Sequence, residues 1–335
     1  MIRTTVVGSW PPEEKYQQAL TAYFQGDLAA QQESNFLLDV ASAALAQQKA
    51  CGLDEYTGGE TSADSFILHF PKYFSGIERT GDEDAWDGRG DFLIVGELDA
   101  PDGLGIAAAF RREKRLDPAL QKVTIPGPSE ILMMIGPEEA NKAARPKAIE
   151  LIRREISECV AVGATDVQLD LPHVAMGTAD GWWDGDAAGI IRQIFAGFED
   201  IRRSVHFCFG DFQAQTWTDN RYFRPLLPLI RSLDGIVDRL VLEFSLPEQW
   251  AERPLLADIP ASMEIAIGLV DVKSPEVQTP EALAAQIEEL LRYVPAERLL
   301  ICPSCGFGRR HVAMAVDKTT AMVGAVKLVN GRLTQ

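Results

Sequence analysis

Side chains that can bind a metal ion stand at the ends of three short apolar segments. His206 and Cys208 lie near the end of the first segment, and Glu243 lies at the end of the second. Cys305 follows the third segment. Because His206 and Cys208 are two positions apart, on a β-strand they point to the same face. Imidazole, thiolate and carboxylate groups are zinc ligands, so these side chains predict a zinc site if the three segments end together.

Each of these signals is weak alone, because a histidine or cysteine on an apolar strand is more often a core residue. The position of every candidate at a strand end strengthens the prediction, and so does Glu243, whose buried charge would need a partner. Cys302 is an alternative ligand, although the turn after it places Cys305 further towards the strand end. Cys51 and Cys159 fall in helical patterns and are interpreted as core residues.

Strands that alternate with helices from end to end predict the frame for this site. The predicted strands are residues 4–9, 53–59, 122–126, 166–170, 204–209, 239–244, 265–270 and 298–301. The predicted helices are residues 35–50, 147–162, 187–202, 224–233 and 280–293. This order is typical of an α/β protein, and we expect a single (β/α)8 TIM barrel over residues 1–335, with its active site at the carboxyl ends of the strands. A doubly wound open sheet is the alternative, but its glycine-rich phosphate loop is missing.

One segment interrupts the alternation. Residues 92–97 and 104–110 are two strand-like runs, and the turn-rich stretch Asp99-Ala100-Pro101-Asp102-Gly103 joins them. Such a pattern favours a β-hairpin. We therefore predict a hairpin insertion between the second and third barrel strands, at about residues 85–115.

Composition excludes several classes of function. The net charge of −17 argues against binding to nucleic acid, whose phosphates require a basic surface. The 335 residues contain no apolar run long enough to span a membrane and no secretory leader pattern, so we expect a cytoplasmic protein without a membrane partner. Five cysteines in a chain of this length do not suggest a disulfide framework, and we expect reduced thiols.

The ordered set of short motifs resembles the catalytic barrel of cobalamin-independent methionine synthase, a family related to uroporphyrinogen decarboxylase-like barrels. The matching pieces are Thr4-Thr5-Val6-Val7-Gly8-Ser9, Gly58-Gly59-Glu60, Ile125-Pro126-Gly127-Pro128, Gln168-Leu169-Asp170-Leu171-Pro172, His206-Phe207-Cys208, Leu242-Glu243-Phe244-Ser245, Val270-Asp271-Val272-Lys273-Ser274-Pro275 and Cys302-Pro303-Ser304-Cys305-Gly306. They occur in family order over nearly the whole chain, so the resemblance is specific although each piece is short.

The resemblance implies a metal site and an amino-acid site. The implied ligands of Zn2+ are His206, Cys208, Glu243 and Cys305. The implied contacts with homocysteine are Val7, Gly8 and Ser9 for its carboxylate, and Glu60 and Asp170 for its ammonium group. Two acids at strand ends can hold one cation. Glu60 could instead be an acid in a solvated loop, and Asp170 a turn former before the next helix.

Three positions depart from the family, all on the side of the methyl donor. Met134 replaces a tryptophan that stacks on folate, and Leu171 replaces an acid. Lys273 replaces a histidine proposed as proton donor, which makes Lys273 the catalytic candidate. Trp182 and Trp183 could supply a stacking surface instead, or simply close their loop over the core. We therefore expect methyl-tetrahydrofolate to be a poor donor, and a methyl-corrinoid or an accessory donor protein to serve better.

The predicted activity is zinc-dependent transfer of a methyl group to the thiol of homocysteine, giving methionine. Methyl-folate and methyl-corrinoid remain open as donors. One alternative is a related enzyme that alkylates another thiol, such as coenzyme M, although Glu60 and Asp170 do not suit a sulfonate. A metal-free barrel resembling uroporphyrinogen decarboxylase is the other alternative.

Overall fold

The computed structural model describes residues 1–25, 30–63, 69–80, 92–136, 138–183, 185–211, 214–308 and 310–334. The strands in this part of the chain are β1 (Arg3–Thr4), β2 (Ser75–Arg79), β3 (Phe92–Asp99), β4 (Lys122–Pro126), β5 (Ile135–Gly136), β6 (Asp166–Asp170), β7 (Arg202–Phe207), β8 (Arg239–Glu243), β9 (Glu264–Val270) and β10 (Leu299–Pro303). The α-helices are α1 (Gln17–Gln25), α2 (Ala30–Ala50), α3 (Ile106–Leu116), α4 (Pro128–Ile131), α5 (Glu138–Ala161), α6 (Pro172–Asp180), α7 (Ala187–Phe195), α8 (Leu227–Ser232), α9 (Pro247–Ala251), α10 (Pro280–Leu290) and α11 (Val312–Leu333). Short 3-10 helices lie at Glu14–Tyr16, Pro71–Tyr73, Arg224–Leu226 and Arg253–Asp258.

Seven parallel strands form the central sheet, in the order β1-β10-β9-β8-β7-β6-β4. Every residue of β4, β6, β8 and β10 is buried, as expected for strands that are covered on both faces. Of these strands, β10 is apolar throughout, whereas β4, β6 and β8 also bury polar residues such as Lys122, Gln168 and Arg239. The predicted α/β fold with a parallel sheet is confirmed.

The sheet curls until its two edges approach each other. Lys122 of β4 donates a hydrogen bond from Nζ to the carbonyl oxygen of Val6, just after β1, at 2.5 Å. The predicted strand at residues 53–59 lies beside β1, where Glu55 N–H bonds to the Thr4 carbonyl at 3.0 Å, but it forms no regular ladder. The expectation of a regular strand at 53–59 is therefore wrong.

Side chains take the hydrogen bonds that a ladder at this edge would need. Asp54 accepts the backbone N–H of Thr4 at 2.7 Å. Gln48, from α2, accepts the backbone N–H of Thr57 at 3.3 Å. A backbone group that is already bonded to a side chain cannot also pair with a strand, so this segment stays extended without becoming a strand.

The predicted hairpin insertion, in which residues 92–97 would pair with residues 104–110, is not confirmed. β3 pairs with β2 in antiparallel orientation and with β5 in parallel, so its first run is a strand. The strand predicted at residues 104–110 is wrong, because α3 begins at Ile106 and buries Ala107 and Phe110 at helical spacing. Short apolar runs do not separate a strand from a buried helix. Residues 85–91 of the predicted insertion lie outside the described residues.

The predicted helices are mostly confirmed. Residues 35–50, 147–161 and 280–290 lie in α2, α5 and α10. The predicted helix 187–202 is shorter, because α7 ends at Phe195 and β7 begins at Arg202. Within the described part of the chain, we find no helix whose length and hydropathy would let it cross a membrane. Cytoplasmic location stays a prediction.

An ion-pair network fills the amino-terminal end of the sheet. The guanidinium group of Arg239, which is 0% exposed, contacts three carboxylates from three segments. Its nitrogens lie 2.5 Å from Glu55, 2.9 Å from Asp166 and 2.8 Å from Glu264. Because each partner charge is buried or half-buried, removing the arginine would take away their fully buried cationic partner and leave them to the partly exposed Arg3 and Arg202.

We therefore expect Arg239→Met to lower the free energy of unfolding by about 3–5 kcal/mol, the usual cost of breaking a buried ion pair. Chemical denaturation measures this. The control is Arg231→Met, which removes an ion pair with Asp258 at 3.2 Å between two exposed side chains and should cost less than about 1 kcal/mol. Equal losses in the two variants would contradict the structural role of Arg239.

Candidate active site

A cavity of about 550 Å³ opens at the carboxyl ends of the strands. The residues that line it and that the sequence had singled out are Val7, Ser9, Glu60, Asp170, His206, Cys208 and Cys305. Active sites in parallel barrels lie at this end, because loops from every strand meet there. The predicted position of the site is therefore the position of the main cavity.

Three of the four predicted metal ligands come together. The ligand atoms of His206, Cys208 and Cys305 all lie within 4.8 Å of one another. His206 bonds through Nδ1 to the carbonyl oxygen of Val241 at 3.0 Å, which makes Nδ1 the donor and leaves Nε2 as the free lone pair. Nε2 is buried and has no hydrogen-bond partner among the described residues. An orphaned imidazole nitrogen beside two thiols fits a zinc ion well.

The two thiols of this group interact with each other. A hydrogen bond between Cys208 and Cys305 lowers the pKa of Cys305, and the same bond, with burial, raises the pKa of Cys208. The positive charge of Lys273 further favours the Cys305 thiolate. The sulfur of Cys305 is therefore the one that more readily becomes a thiolate and binds a cation. Both Cys208 and Cys305 are free cysteines.

An irregularity in β10 separates Cys305 from Cys302. The pairing register between β10 and β9 shifts between Cys302 and Pro303. Cys302 stays inside the sheet, where it packs in a small apolar cluster with Val7 and Val241. Cys305, beyond the shift, reaches the cavity. Cys302 is not a member of the metal-binding group found among the described residues.

Glu243 lies next to the metal-binding group but does not belong to it. Its Oε1 lies 2.8 Å from Nζ of Lys273, and its Oε2 accepts the backbone N–H of Phe209 at 3.0 Å. Burial raises the pKa of Glu243, and Lys273 opposes that rise. Lys273 is itself buried and is absent from the described lining of the cavity. The catalytic candidate therefore contacts the carboxylate rather than the cavity.

Glu60 and Asp170 form a pair of acids that line the cavity, and Asp170 is buried while Glu60 is half-buried. Burial, reinforced by the charge of Asp170, raises the pKa of Glu60 to about 8. Burial likewise raises the pKa of Asp170 to about 6, although His206 opposes it. Thr124 donates a hydrogen bond to Glu60 at 2.6 Å, and Gln168 donates one to Asp170 at 2.7 Å. Within the described part of the chain, neither acid forms a salt bridge with a lysine or arginine, which suits an ammonium ligand.

The backbone at residues 59–60 turns Glu60 inward. Glu60 has φ of 55°, a left-handed conformation that is uncommon for a residue other than glycine, and Gly59 before it has φ of 86°. The carboxylate packs over Gly8, where any β-carbon would collide with Glu60 Oε1. Strain of this kind concentrates at functional sites. Glu60 is therefore not the solvated loop acid of the alternative interpretation.

The segment 7–9 offers unused backbone donors beside the two acids. Ser9 is fixed by Gly308 N–H, which bonds to its Oγ at 3.1 Å, and by Phe307 N–H, which bonds to its carbonyl at 2.8 Å. Within the described residues, no acceptor is recorded for the backbone N–H groups of Gly8 and Ser9. Two free N–H groups can hold a carboxylate.

The aromatic side of the cavity differs from the sequence expectation. Met134 is buried and is not among the described lining residues, so it does not occupy a stacking position. Trp183 packs on the core and Trp182 is 53% exposed, and neither belongs to the described lining. Trp217 and His173 line the cavity instead. The position of Met134 therefore gives no ground for expecting poor folate binding, and the expectation itself is untested.

Sequence reasoning missed three polar residues of the lining. Arg310 forms a bidentate ion pair with Asp211, at 2.8 Å to each carboxylate oxygen. His173 begins the helix that follows β6. The motif Pro172-His173 after a buried strand was a usable signal for His173, since helix starts at strand ends reach the site. Arg310 and Asp211 lie in loops and carried no comparable pattern.

The pKa of Glu60 is raised from 4.5 to about 8, so between these pH values the folded protein holds a proton on Glu60 that the unfolded chain releases. The free energy of unfolding should therefore fall as the pH rises from about 4.5 to about 8. Glu60→Gln should reduce this fall by on the order of a few kcal/mol. Denaturation at pH 5 to 9 on chelator-treated protein measures the slope. Glu150→Gln, at an exposed ion pair with Lys147, is the control and should leave the slope unchanged. A parallel slope in Glu60→Gln would show that Glu60 is not protonated in the fold.

Comparison with known proteins identifies the family of this chain. The family described as "Cobalamin-independent synthase, Catalytic domain" matches residues 2–328. The methionine synthase of Saccharolobus islandicus (strain Y.G.57.14 / Yellowstone #1) is 23% identical over 339 residues, covering 99% of this chain and 96% of that protein. The 5-methyltetrahydropteroyltriglutamate–homocysteine methyltransferase of Candida albicans is 23% identical over 338 residues, covering 97% of this chain but only 42% of that longer protein.

A solved structure supports the same assignment at the level of the fold. The B12-independent methionine synthase from Shewanella sp. W3-18-1, in complex with selenomethionine, superposes with a TM-score of 0.78. It is 17% identical and covers 100% of this chain and 99% of its own, so the likeness shows the fold alone. Together with the match over residues 2–328, these findings establish that the chain belongs to the cobalamin-independent synthase family, through its catalytic domain.

Proposed function

We propose that this protein is a zinc-dependent methyltransferase that methylates the thiol of homocysteine to give methionine. The observation that carries the proposal is one cavity lined both by the metal-binding group and by the acids Glu60 and Asp170. The metal-binding group suits a thiol, and the two acids suit an ammonium group. The names of the relatives from S. islandicus and C. albicans, a methionine synthase and a homocysteine methyltransferase, agree with this substrate.

The metal would be held by His206, Cys208 and Cys305, with one further position left for the substrate or for Glu243. Three nitrogen and sulfur ligands with an open position are characteristic of catalytic zinc. Zinc bound there would favour the thiolate form of a substrate thiol at neutral pH. Both Cys208 and Cys305 must be deprotonated to bind a metal, so metal binding would release protons.

The amino-acid end of homocysteine would meet the two acids and the segment 7–9. An ammonium group between Glu60 and Asp170 would give both carboxylates a cationic partner. The backbone N–H groups of Gly8 and Ser9 would receive the carboxylate, and Val7 completes the wall. These contacts orient the thiol towards the metal-binding group, which lies in the same cavity.

Lys273 would act through Glu243 rather than on the substrate. Its ammonium group lies 2.8 Å from the carboxylate, and this contact raises the pKa of Lys273 despite its burial. A lysine that stays charged holds Glu243 in place and adds positive charge beside Cys305. Glu243 remains a proposed ligand whose binding to metal would compete with this ion pair.

For the methyl donor we favour a methyl group carried on nitrogen, as in 5-methyltetrahydrofolate. Trp217 and His173 give the cavity an aromatic side on which a flat ring can stack. The C. albicans relative is named for a methylated pteroyl donor. A methyl-corrinoid or an accessory donor protein is the alternative, and no feature of the described cavity favours it specifically.

The two other activities expected from the sequence fit less well. Coenzyme M would place a sulfonate next to Glu60 and Asp170, two acids that already repel each other. A metal-free decarboxylase would leave His206 Nε2 and two thiols without a purpose in its active site. Both alternatives predict measurable differences in ligand binding and metal content.

We expect about one equivalent of zinc per chain, measured by elemental analysis. Cys208→Ser and Cys305→Ser should each lose the metal, because they remove members of the group. Glu243→Gln should retain it with weaker affinity. Cys302→Ser, a buried cysteine outside the group, is the matched control and should keep the full amount. Metal-free wild-type protein that still methylates homocysteine would rule out the proposed mechanism.

We expect homocysteine to bind more tightly than coenzyme M in isothermal titration, since only homocysteine carries an ammonium group. Asp170→Asn should weaken homocysteine binding by about 1.5–3 kcal/mol, the loss of a charged hydrogen bond. Asp211→Asn, an acid of the same cavity engaged by Arg310, should have a smaller effect. Tighter binding of coenzyme M would favour the alternative in which coenzyme M is the substrate thiol. Production of methionine from homocysteine and a methyl donor is the decisive assay.

A further inference from the structure

His173 and Glu130 form a pair at the wall of the cavity. The ring nitrogen Nδ1 of His173 lies 3.2 Å from Glu130 Oε1, and the backbone N–H of His173 donates to the same oxygen at 3.1 Å. Glu130 belongs to α4 and is 0% exposed, while His173 begins α6. Two contacts from one residue to one carboxylate oxygen fix both the position and the orientation of the imidazole.

Core packing does not account for Glu130. Its second oxygen, Oε2, is buried and has no hydrogen-bond partner among the described residues. Space for it exists only because residue 127 is glycine, where a β-carbon would lie 2.6 Å from Oε2. A buried carboxylate with an unsatisfied oxygen costs stability. Such a cost is expected where a carboxylate orients a functional histidine.

The other nitrogen of the ring is left for the cavity. With Nδ1 held by Glu130, Nε2 is the atom of His173 available to a ligand, and His173 lines the same cavity as the metal-binding group. Trp217 and Trp182 meet the ring edge-on, with centroids 6.0 Å and 6.5 Å away. These rings limit rotation of the imidazole, and Trp217 offers a face to a flat ligand beside it.

We propose that His173, positioned by Glu130, is the catalytic acid that protonates the leaving nitrogen of an N-methyl donor. This inference rests on the proposed function. In the step, the thiolate of homocysteine forms an S–CH3 bond while the N–CH3 bond of the donor breaks. The electron pair of that bond stays on nitrogen, which takes a proton from Nε2 of His173. The proton that the thiol releases restores His173 through solvent, so no other reactant is needed.

The test is methyl transfer from 5-methyltetrahydrofolate to homocysteine with the zinc-loaded, full-length protein. His173→Gln should lower the single-turnover rate by about 10²–10⁴-fold, the usual contribution of a general acid. Zinc content and the dissociation constant of homocysteine should stay within threefold of wild type. His311→Gln, which changes an exposed histidine at the cavity rim, is the matched control and should change the rate less than threefold.

The positioning of His173 by Glu130 is tested by a separate measurement. Glu130→Gln should lower kcat by at least tenfold with little change in KM, and Glu130→Asp should recover part of the loss. In His173→Gly, added imidazole should raise the rate at least tenfold, because it replaces the missing acid. A role in folding alone would give neither the recovery by imidazole nor a change confined to kcat.

The outcomes separate this inference from the proposed function. A loss of less than threefold in His173→Gln, or no rescue of His173→Gly by imidazole, would overturn the role of His173. Wild-type protein that makes methionine from methylcobalamin but not from 5-methyltetrahydrofolate would also overturn it and leave the proposed function standing. Wild-type protein that makes methionine from neither donor would overturn both.

Discussion

Burial of charge at the two ends of one curled parallel sheet is the constraint on which the rest of the structure depends. At the amino-terminal end, Arg239 pairs with Glu55, Asp166 and Glu264, and Arg3 and Arg202 add further positive charge, so these carboxylates have cationic partners within the protein. At the carboxyl end, burial raises the pKa values of the neighbouring Glu60 and Asp170, and neither acid forms a salt bridge with a lysine or arginine among the described residues. A buried charge without a partner is costly, so the carboxyl end is the place where a charged ligand stabilises the protein.

The irregular features of the backbone lie at the same end. Glu60 adopts a left-handed conformation, and the register of β10 shifts just before Cys305. Without the first, the carboxylate would not turn over Gly8 into the cavity. Beyond the second, Cys305 reaches the cavity, whereas Cys302 stays in the sheet interior. Regular strands bring the segments together, and local departures from regularity aim the side chains.

Two carboxylates in and beside this site hold basic side chains rather than facing the cavity themselves. Glu243 binds Lys273 next to the metal-binding group, and Glu130 binds His173 at the cavity wall. In both pairs the carboxylate is fully buried, so the contact limits the orientation of the basic side chain. The lining of the cavity thus combines the group of His206, Cys208 and Cys305 with the aromatic rings of His173 and Trp217.

The sequence by itself determined the alternation of strands and helices, the parallel sheet and the positions of His206, Cys208 and Cys305, because strand ends and face alternation are local properties of the chain. It did not determine the hydrogen bonding of residues 53–59 or the helix at 104–110, since side-chain competitors and helical burial come from distant segments. The same reason applies to Glu243 and His173. Whether a carboxylate binds a metal or a lysine, and whether a histidine meets a buried glutamate, is decided by contacts between segments far apart in the chain, which only the tertiary structure brings together.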